Sequence, residues 1–346
     1  MKTLIVGGTG LISTVITHLL VQRGDDVTVY NRGTTETPLP PNAKRILGDR
    51  KNYDEFESRM AEQRFDCVID MVCFAPEDAK SAVRAFNGRI GQYIFCSTTE
   101  VYHKKDSFYP IREDHDRKPS PSFPYGFNKC KCENTFIAAH ERGDFQLTII
   151  RPAYTYGKGS IIHTLGWGTY YLDRMRKGKP IIVHGDGTSI MATCYKDDTA
   201  AAFAGAAGNK KAFGKMYNVS GDELMSWDLF HRKVAEGMGA PDPKLVHIPS
   251  DLLRKLVPKE YLMFLNILQY SSIYDNSAAK NDLGFRYNTP WVEGVRRTVA
   301  GIDESGGFED CDKFPFYDRI IRAWERVELE IESEFAGLPA QTGLRT

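Results

Sequence analysis

The chain has 346 residues, of which 42% are hydrophobic, and its 45 Lys and Arg residues are balanced by 45 Asp and Glu residues. This length exceeds what one hydrophobic core usually needs, so we expect one large domain with a smaller one attached. The neutral charge gives no support for nucleic-acid or membrane-surface binding, and no apolar run is long enough to span a bilayer. The N-terminus lacks a signal-peptide pattern, which predicts a cytoplasmic protein.

The seven cysteines are odd in number, and several lie in apolar, strand-like runs. These features favour reduced, buried thiols. The nearest approach to a metal motif is Cys130-Lys131-Cys132, with one residue between the cysteines and no second Cys or His pair nearby. This is poor zinc geometry, so we predict no metal site.

The first half of the chain alternates short apolar runs with helical patterns. We predict strands at residues 2–6, 26–30, 45–47, 67–72, 93–97 and 146–151, and a first helix from the spacing of apolar residues between Leu11 and Leu20. Near-continuous apolar runs are typical of strands that are buried on both faces of a parallel sheet. The alternation predicts an α/β fold with a doubly wound parallel sheet, the Rossmann fold.

After Pro152 the pattern loosens, although a helix near Asp197 and a strand at 216–219 look like a return to the main sheet. We therefore predict a nucleotide-binding domain at residues 1–155 and 191–236 and a smaller substrate-binding cap at 156–190 and 237–312. Residues 313–346 form the C-terminal helix and tail. Apolar residues from Tyr317 to Ile331 recur at helical spacing, which predicts an amphipathic helix that packs on its own domain.

A glycine cluster lies between the first predicted strand and the first predicted helix. Glycines let the backbone turn tightly and approach a pyrophosphate, and the helix N-terminus offers free N–H groups to phosphates. Where a third glycine could stand there is Ser13, which is small enough to keep helix and sheet close. The residues assigned to the cofactor from this run are Gly7, Thr9, Gly10, Leu11 and Ile12.

The second predicted strand ends in Asn31 and Arg32, where NAD-binding proteins usually have an acidic residue for the ribose hydroxyls. Without that carboxylate a 2′-phosphate is not repelled, and Arg32 could pair with it. The cofactor is therefore NAD or NADP, with a preference for NADP, unless Arg32 is a loop residue in solvent. Asp49 could accept a hydrogen bond from the adenine amino group, or it could be a turn residue. Its neighbour Arg50 is assigned to the same pocket.

Tyr125 and Lys129 are four residues apart, so on a helix they share one face. A nearby ammonium group and the helix N-terminus favour the phenolate form of a tyrosine. Such a tyrosine can exchange a proton with a substrate alcohol or ketone during hydride transfer. Lys129 can also hold the nicotinamide ribose. Taken alone, a pair at this spacing is usually a surface pair.

The run from Ser97 to Tyr102 follows the fifth predicted strand, at the sheet edge where ligands bind in doubly wound folds. Thr98 can hydrogen-bond the reacting oxygen and share the proton with Tyr125. Glu100 is a candidate general base within reach of the same site, unless it is a solvated loop charge.

These elements, in this order, resemble the extended branch of the short-chain dehydrogenase/reductase superfamily, the NAD-dependent epimerase/dehydratase family. The resemblance extends from residue 1 to about residue 300 and includes Arg151-Pro152, Gly185-Asp186-Gly187 and Tyr217-Asn218-Val219. It implies sugar-nucleotide substrates in many members and frequent homodimers. It also implies a cofactor site at Gly7, Gly10 and Ile12, and catalytic roles for Thr98, Tyr125 and Lys129. Further cofactor contacts are assigned to Met71, Val72 and Pro152.

The chain departs from that family at several positions. The run around Glu100 is similar to that of UDP-glucuronate decarboxylases, and Thr99 replaces an Asp of the dTDP-glucose 4,6-dehydratases. Met191 takes the position of an Arg that usually contacts the nucleotide diphosphate, and Tyr154 stands where an Asn is common. The candidates for the substrate pocket are Thr99, Tyr154, His163 and Met191, with Trp167, Tyr170 and Tyr171 as further candidates for its wall. We expect at least half of the group His163, Trp167, Tyr170 and Tyr171 to be cap core instead.

The leading interpretation is an NAD(P)-dependent epimerase or dehydratase that acts on a sugar or nucleotide sugar through a transient keto-sugar, with Tyr125 as acid and base. The alternatives are a UDP-glucuronate decarboxylase-like enzyme that uses Glu100, an NADPH-dependent ketone or aldehyde reductase, and a non-catalytic RNA-binding member of the superfamily. The intact Tyr125/Lys129 pair and the zero net charge argue against the last. We expect a homodimer that binds a small sugar and neither nucleic acid nor membrane.

Overall fold

The computed structural model describes residues 1–35, 37–105 and 107–336. The last ten residues of the predicted tail, 337–346, lie outside the described residues. The strands are β1 (Lys2–Val6), β2 (Asp26–Asn31), β3 (Lys44–Leu47), β4 (Phe65–Asp70), β5 (Ile90–Cys96), β6 (Gln146–Pro152), β7 (Tyr154–Tyr156), β8 (Ile181–His184), β9 (Ile190–Tyr195), β10 (Lys215–Val219), β11 (Leu224–Ser226) and β12 (Leu245–Ile248). The helices are α1 (Ser13–Gln22), α2 (Tyr53–Ala61), α3 (Pro76–Phe86), α4 (Pro124–Glu141), α5 (Tyr170–Arg176), α6 (Lys196–Ala206), α7 (Trp227–Met238), α8 (Ser250–Leu256), α9 (Leu262–Leu268), α10 (Ser277–Leu283), α11 (Trp291–Glu304) and α12 (Pro315–Phe335).

The main sheet has seven strands in the order β3-β2-β1-β4-β5-β6-β10, and all neighbours are parallel. This order confirms the predicted doubly wound Rossmann sheet, which binds ligands at the carboxyl ends of the strands where the order reverses, beside β1 and β4. The strand predicted at 67–72 instead ends at Asp70. The Asp70 carboxylate accepts a hydrogen bond from the amide of Val72 at 3.0 Å, and this turn takes Met71 and Val72 out of the sheet.

Side chains of the main sheet pack into two hydrophobic cores, one on each face, because successive residues of a strand point to opposite faces. In β1, Ile5 belongs to the core formed with α1 and α6, whereas Leu4 and Val6 belong to the core formed with α2, α3 and α4. All three side chains are fully buried. Burial on both faces explains the near-continuous apolar runs of the sequence.

The second part of the molecule contains two small sheets, β11-β9-β7 and β12-β8. Residues 227–236, which we predicted in the nucleotide-binding domain, form most of α7 and pack in the core of this second part. Trp227, Phe230 and Val234 lie in that core, and the rings of Phe230 and Trp291 have their centroids 4.5 Å apart. These residues lie in the second part of the molecule because the apolar face of α7 packs against α11 rather than against the main sheet.

The C-terminal helix α12 is amphipathic as predicted, but only its first half is covered. Tyr317, Ile320 and Ile321 are buried, and the Tyr317 hydroxyl accepts a hydrogen bond from the Ile182 amide at 2.8 Å. Further along, Ile331 is 52% exposed. The described helices include none that is long and apolar enough to cross a membrane.

Candidate active site

The glycine loop after β1 has the backbone geometry of a nucleotide cradle. Gly7 and Gly8 have φ angles of 114° and 68°, which favour glycine. A Cβ atom on Gly8 would overlap the side chain of Val29. The Gly10 amide donates a hydrogen bond to the Ser13 hydroxyl at 2.8 Å. Ser13 therefore supports the turn at the position where a third glycine could stand.

A cavity of about 570 Å³ opens from this loop along the carboxyl ends of the strands. Most of the residues predicted to bind the cofactor line it: Gly7, Thr9, Gly10, Leu11, Ile12, Asn31, Arg32, Asp49, Arg50, Met71, Val72, Tyr125 and Lys129. Pro152 lines the neighbouring cavity instead. Within the described residues nothing accepts a hydrogen bond from the amides of Leu11 and Ile12. Free amides at the start of a helix suit a pyrophosphate, so the cavity fits a dinucleotide.

The adenosine end of the cavity is polar. The Asn31 carboxamide oxygen accepts a hydrogen bond from the Gly33 amide at 3.1 Å, which holds the side chain against the loop. Arg32 is exposed on the rim. The guanidinium of Arg50, in contrast, turns inward to Asp70 and to the carbonyl of Asp78. Arg50 therefore lines the cavity, but its guanidinium group is bonded to protein groups rather than directed at a ligand.

Tyr125 and Lys129 lie in the first turns of α4, beside the carboxyl end of β5. The Lys129 ammonium is buried and donates a hydrogen bond to the carbonyl of Cys96 at 2.7 Å. It lies 5.9 Å from the ring centre of Tyr125 and 4.6 Å from that of Phe74. The predicted pair therefore joins a buried ammonium to a tyrosine that lines the cavity.

The ammonium of Lys129 acts on the Tyr125 pKa in the direction expected from the sequence, but burial has the larger effect. Tyr125 keeps 41% of its surface exposed, but burial of its hydroxyl raises its pKa above the usual value. The Lys129 charge and a hydrogen bond with Thr98 act in the opposite direction without reversing the shift. Burial also acts to lower the pKa of Lys129, but the neighbouring Tyr125 and two buried cysteines raise it overall. The resting pair is a neutral phenol beside an ammonium group.

A second cavity, of about 430 Å³, adjoins the first and shares Leu11, Ile12, Cys96 and Tyr125 with it. Thr98 and Thr99 line this second cavity, which we call the reaction cavity. The Thr98 hydroxyl accepts a hydrogen bond from the Glu100 amide at 3.2 Å. That bond caps a short 3₁₀ turn over Thr99–Val101.

Glu100 also lines the reaction cavity, and it is buried, so the alternative of a solvated loop charge is wrong. Because the chain turns after Thr98, the strand relation that would point both side chains the same way does not apply. One oxygen of Glu100 lies 2.6 Å from the ammonium of Lys104. The carboxylate raises the pKa of Lys104 although burial alone would lower it.

Two predicted substrate residues lie elsewhere. His163 and Met191 are buried in the second part of the molecule, as are Tyr170 and Tyr171. His163 stacks on Tyr171 with ring centroids 4.7 Å apart, and burial lowers its pKa to about 3. Of the four aromatic candidates only Trp167 lines the reaction cavity, as does Tyr154. The expectation that at least half of the four belong to the core is confirmed.

Several residues of the site were not predicted. Phe123, Met263, Phe264 and Ile267 line the reaction cavity, and Phe74 covers Lys129. Lys104 could have been found from its spacing of four residues after Glu100. No local pattern marks Phe264 or Ile267, because they reach the cavity from α9 by tertiary packing.

A buried ion pair supports the catalytic loop from behind. Arg151 and Glu133 are fully buried, and two of the three guanidinium nitrogens donate hydrogen bonds to the Glu133 carboxylate, each at 2.8 Å. The hydroxyl of Ser97, next to Thr98, donates to Glu133 at 2.6 Å. The charge of Arg151 holds the pKa of Glu133 below its usual value in spite of burial.

The seven cysteines are free thiols, as predicted, and six of them are buried. Among the described residues, Asp173, Asp310 and Cys311 come close enough together to hold a metal ion. Lys177 lies 2.8 Å from each of the two carboxylates, which places a competing cation there.

Comparison with known proteins shows which family this chain resembles. Residues 3–220 match the model of the NAD dependent epimerase/dehydratase family. The chain is 30% identical to the chloroplast stem-loop binding protein of 41 kDa b from Arabidopsis thaliana, covering 92% of this chain and 84% of that protein. It is 24% identical to 2′-dehydrokanamycin reductase from Streptomyces kanamyceticus, covering 99% of this chain and 90% of the reductase.

The fold is also found in a crystal structure of UDP-glucose 4-epimerase from Thermotoga maritima. The two structures align with a TM-score of 0.69 at 21% identity, covering 88% of this chain and 99% of the epimerase. The family model spans the glycine loop, the Tyr125/Lys129 pair and the return strand β10. This chain belongs to the NAD dependent epimerase/dehydratase family.

Proposed function

We propose that this protein is an NAD(P)-dependent enzyme that interconverts a hydroxyl group and a ketone on a sugar ring, as part of an epimerisation or dehydration through a transient keto-sugar. The observation that carries the proposal is the position of Tyr125, which lines both the cofactor cavity and the reaction cavity. A group at that boundary can exchange a proton with the carbon–oxygen group that gives or receives hydride.

In this proposal a bound nicotinamide supplies hydride transfer, and the chain's own residues handle the proton. The raised pKa of Tyr125 keeps its phenol protonated at neutral pH. Oxidation of the hydroxyl therefore requires the phenol to lose its proton first, so that the phenolate can accept the hydroxyl proton as hydride leaves. The phenol so formed returns that proton to the ketone oxygen when hydride comes back. Lys129, which stays charged, stabilises the phenolate that remains. Thr98 hydrogen-bonds the same oxygen and orients it.

Glu100 decides between the possible outcomes after oxidation. Decarboxylation or elimination at the neighbouring carbon would use a carboxylate in the reaction cavity, and Glu100 is such a group. One oxygen of Glu100 is engaged by the Lys104 ammonium at 2.6 Å, so this oxygen is not free to contact the substrate. Epimerisation, in which Tyr125 and Thr98 suffice, is therefore our first choice over the decarboxylase-like alternative.

Two observations support other candidates. Similarity to 2′-dehydrokanamycin reductase over nearly the whole chain, together with Arg32 on the cofactor rim, favours a one-way NADPH-dependent ketone reductase. Similarity to the chloroplast stem-loop binding protein favours RNA binding without catalysis. The position of Tyr125 on both cavities, beside the buried Lys129 ammonium, supports catalysis over the second of these. A cytoplasmic homodimer completes the proposal by resemblance to the family.

Native mass spectrometry of the purified protein tests the class of reaction. Retained oxidised cofactor supports the redox-neutral epimerase or dehydratase, and its mass distinguishes NAD from NADP. A protein that retains no cofactor but oxidises added NADPH with a ketone supports the reductase. Specific binding of an RNA stem-loop with no cofactor binding would contradict both.

We expect Tyr125→Phe to keep cofactor binding and to lose turnover by a factor of about 100 to 10,000, the usual contribution of general acid–base catalysis. Stopped-flow absorbance of the reduced nicotinamide, on mixing with a panel of sugars and nucleotide sugars, measures the loss. Tyr261→Phe is the control, since Tyr261 stacks on Phe316 outside both cavities. Turnover within a few-fold of wild type in Tyr125→Phe would remove Tyr125 from the mechanism.

A further inference from the structure

The reaction cavity is lined by few charged side chains. Within the described part of the chain, Glu100 is the one charged side chain that lines it. The rest of the wall is apolar, aromatic or hydroxyl-bearing, with Phe123, Tyr154, Trp167 and Phe264 as its largest members. No cation faces a ligand there, and burying a phosphate without a cation costs several kcal/mol or more.

The negative charge of Glu100 is neutralised by Lys104. The Lys104 ammonium lies 2.6 Å from one oxygen of Glu100 and 3.2 Å from the hydroxyl of Ser272. Lys104 also lies 5.4 Å from the ring centre of Tyr154. Glu100 and Lys104 are both buried, so little solvent screens their attraction. The pair presents no net charge to the cavity, while the second Glu100 oxygen has no bonded partner among the described residues.

The position that the family resemblance gives to a diphosphate-binding Arg is occupied by Met191, which is 1% exposed in the core. Cations do occur on the far side of Glu100, in an adjoining cavity of about 460 Å³ that shares Glu100, Phe123 and Ile267 with the reaction cavity. Besides Lys104, which pairs with Glu100, the cations that line it are Lys105, Lys118 and Arg254. Two of these are already paired, Lys118 with Asp116 at 2.6 Å and Arg254 with Asp251.

We infer that the molecule that reacts at Tyr125 is uncharged: a sugar or cyclitol, as alcohol or ketone, that carries neither a phosphate nor an amine. This inference rests on the proposed function, because it assumes that hydride transfer takes place beside Tyr125. The free oxygen of Glu100 accepts a hydrogen bond from a ring hydroxyl, and the aromatic wall packs against the ring. Lys104 is the residue that sets this selectivity, since it cancels the carboxylate.

Calorimetry on the NAD-saturated protein tests the inference with five probes. D-glucose and myo-inositol are neutral, D-glucosamine is cationic, and D-glucose 6-phosphate and UDP-glucose are anionic. We expect the wild-type protein to prefer a neutral probe to its charged counterparts by about tenfold or more, as uncompensated charges in a buried site require. Tighter binding of a charged probe, or no binding of either neutral probe, overturns the inference.

Charge-removal variants show whether Lys104 sets the preference. Lys104→Met exposes the carboxylate, so glucosamine should gain about tenfold over glucose. Glu100→Gln leaves the ammonium, so glucose 6-phosphate should gain by a similar factor. The double variant Glu100→Gln/Lys104→Met is neutral again and should regain the wild-type order. Because it contains no unpaired charge, it keeps the test valid if a single variant fails to fold.

Lys105→Met is the control and should leave all five affinities unchanged. If UDP-glucose binds the wild-type protein and Lys105→Met abolishes that binding, the diphosphate lies in the adjoining cationic cavity and the inference is wrong. Failure of the proposed function would give a different experimental result from failure of the inference. If neutral probes bind with the expected preference but no sugar ever reduces the bound cofactor, the function fails. If a charged sugar reduces it and Tyr125→Phe prevents this, only the inference fails.

Discussion

The cofactor cavity and the reaction cavity meet at Tyr125, yet they are built in different ways. The residues of the cofactor cavity come from short segments at the carboxyl ends of β1, β2, β3, β4 and β5 and from α4. The reaction cavity adds Trp167 and the α9 residues Met263, Phe264 and Ile267, which are distant in sequence. The first cavity belongs to the sheet edge, and the second is assembled by packing of the second part of the molecule.

This difference explains where charge is found. The cofactor cavity carries Arg32 and Asp49 on its rim and Lys129 at its base. The reaction cavity carries one carboxylate that Lys104 cancels. A sheet edge exposes backbone amides and polar turns that suit phosphates, whereas helices that pack through apolar faces leave a neutral wall. The cofactor side is therefore suited to an anion and the reaction side to an uncharged ring.

The largest expected effect concerns the buried pair of Arg151 and Glu133 behind the loop that carries Thr98. Glu133→Gln should lower the free energy of unfolding by about 3–5 kcal/mol, because it leaves the fully buried Arg151 without its carboxylate. The Ser97 hydroxyl also loses its charged acceptor, so the loop that carries Thr98 should loosen. Urea unfolding measures the stability, and cofactor retention reports the loop.

The control for that prediction is Glu57→Gln. Glu57 pairs with Arg84 through two hydrogen bonds of 2.9 and 2.8 Å, but the pair lies at the surface. Surface pairs contribute roughly 0–1 kcal/mol. An equal loss of unfolding free energy in both variants would mean that burial does not distinguish the two ion pairs.

The second prediction concerns the pH dependence of stability that arises from buried histidines in the second part of the molecule. Burial lowers the pKa of His163 to about 3 and that of His184 to about 4, both in the second part of the molecule. These histidines are neutral when folded, whereas an unfolded chain binds the proton near pH 6.5. The stability that they contribute is therefore present above that pH and is lost as pH falls towards 4.

We expect His163→Phe, which keeps a ring against Tyr171, to reduce the loss of unfolding free energy between pH 7 and pH 5 by about 1–2 kcal/mol. Urea unfolding at the two pH values gives this difference. His18→Gln is the control, because His18 is exposed on α1. An acid-induced loss as large in His163→Phe as in wild type would show that His163 does not titrate on unfolding.

The smallest expected effect tests the rim of the cofactor cavity. Arg32→Ala should weaken NADP by about tenfold, the usual loss for one charge-assisted pair with a phosphate, and should leave NAD nearly unchanged. Calorimetry with both cofactors measures this difference. Arg45→Ala is the control, since Arg45 is exposed on β3 and does not line the cavity. An equal loss for both cofactors would mean that Arg32 only flanks the site.

The sequence determined the parts of the molecule that depend on local periodicity. Alternating strands and helices predicted the Rossmann sheet, and the glycine loop between β1 and α1 predicted the cradle. The spacing of Tyr125 and Lys129 predicted one shared helix face. These predictions succeed because strand ends of a parallel sheet meet at one edge whatever the rest of the chain does.

Tertiary structure decided everything that depends on burial. The pKa of Tyr125 rises because its hydroxyl is desolvated, an effect that local sequence does not contain. Aromatic character could not tell Trp167, on the reaction cavity, from His163, in the core. The cancelled charge of Glu100 likewise depends on how the loop after β5 folds back beneath Tyr154 and Ser272. Periodicity is a property of neighbours in sequence, whereas desolvation is set by residues that packing brings from elsewhere in the chain.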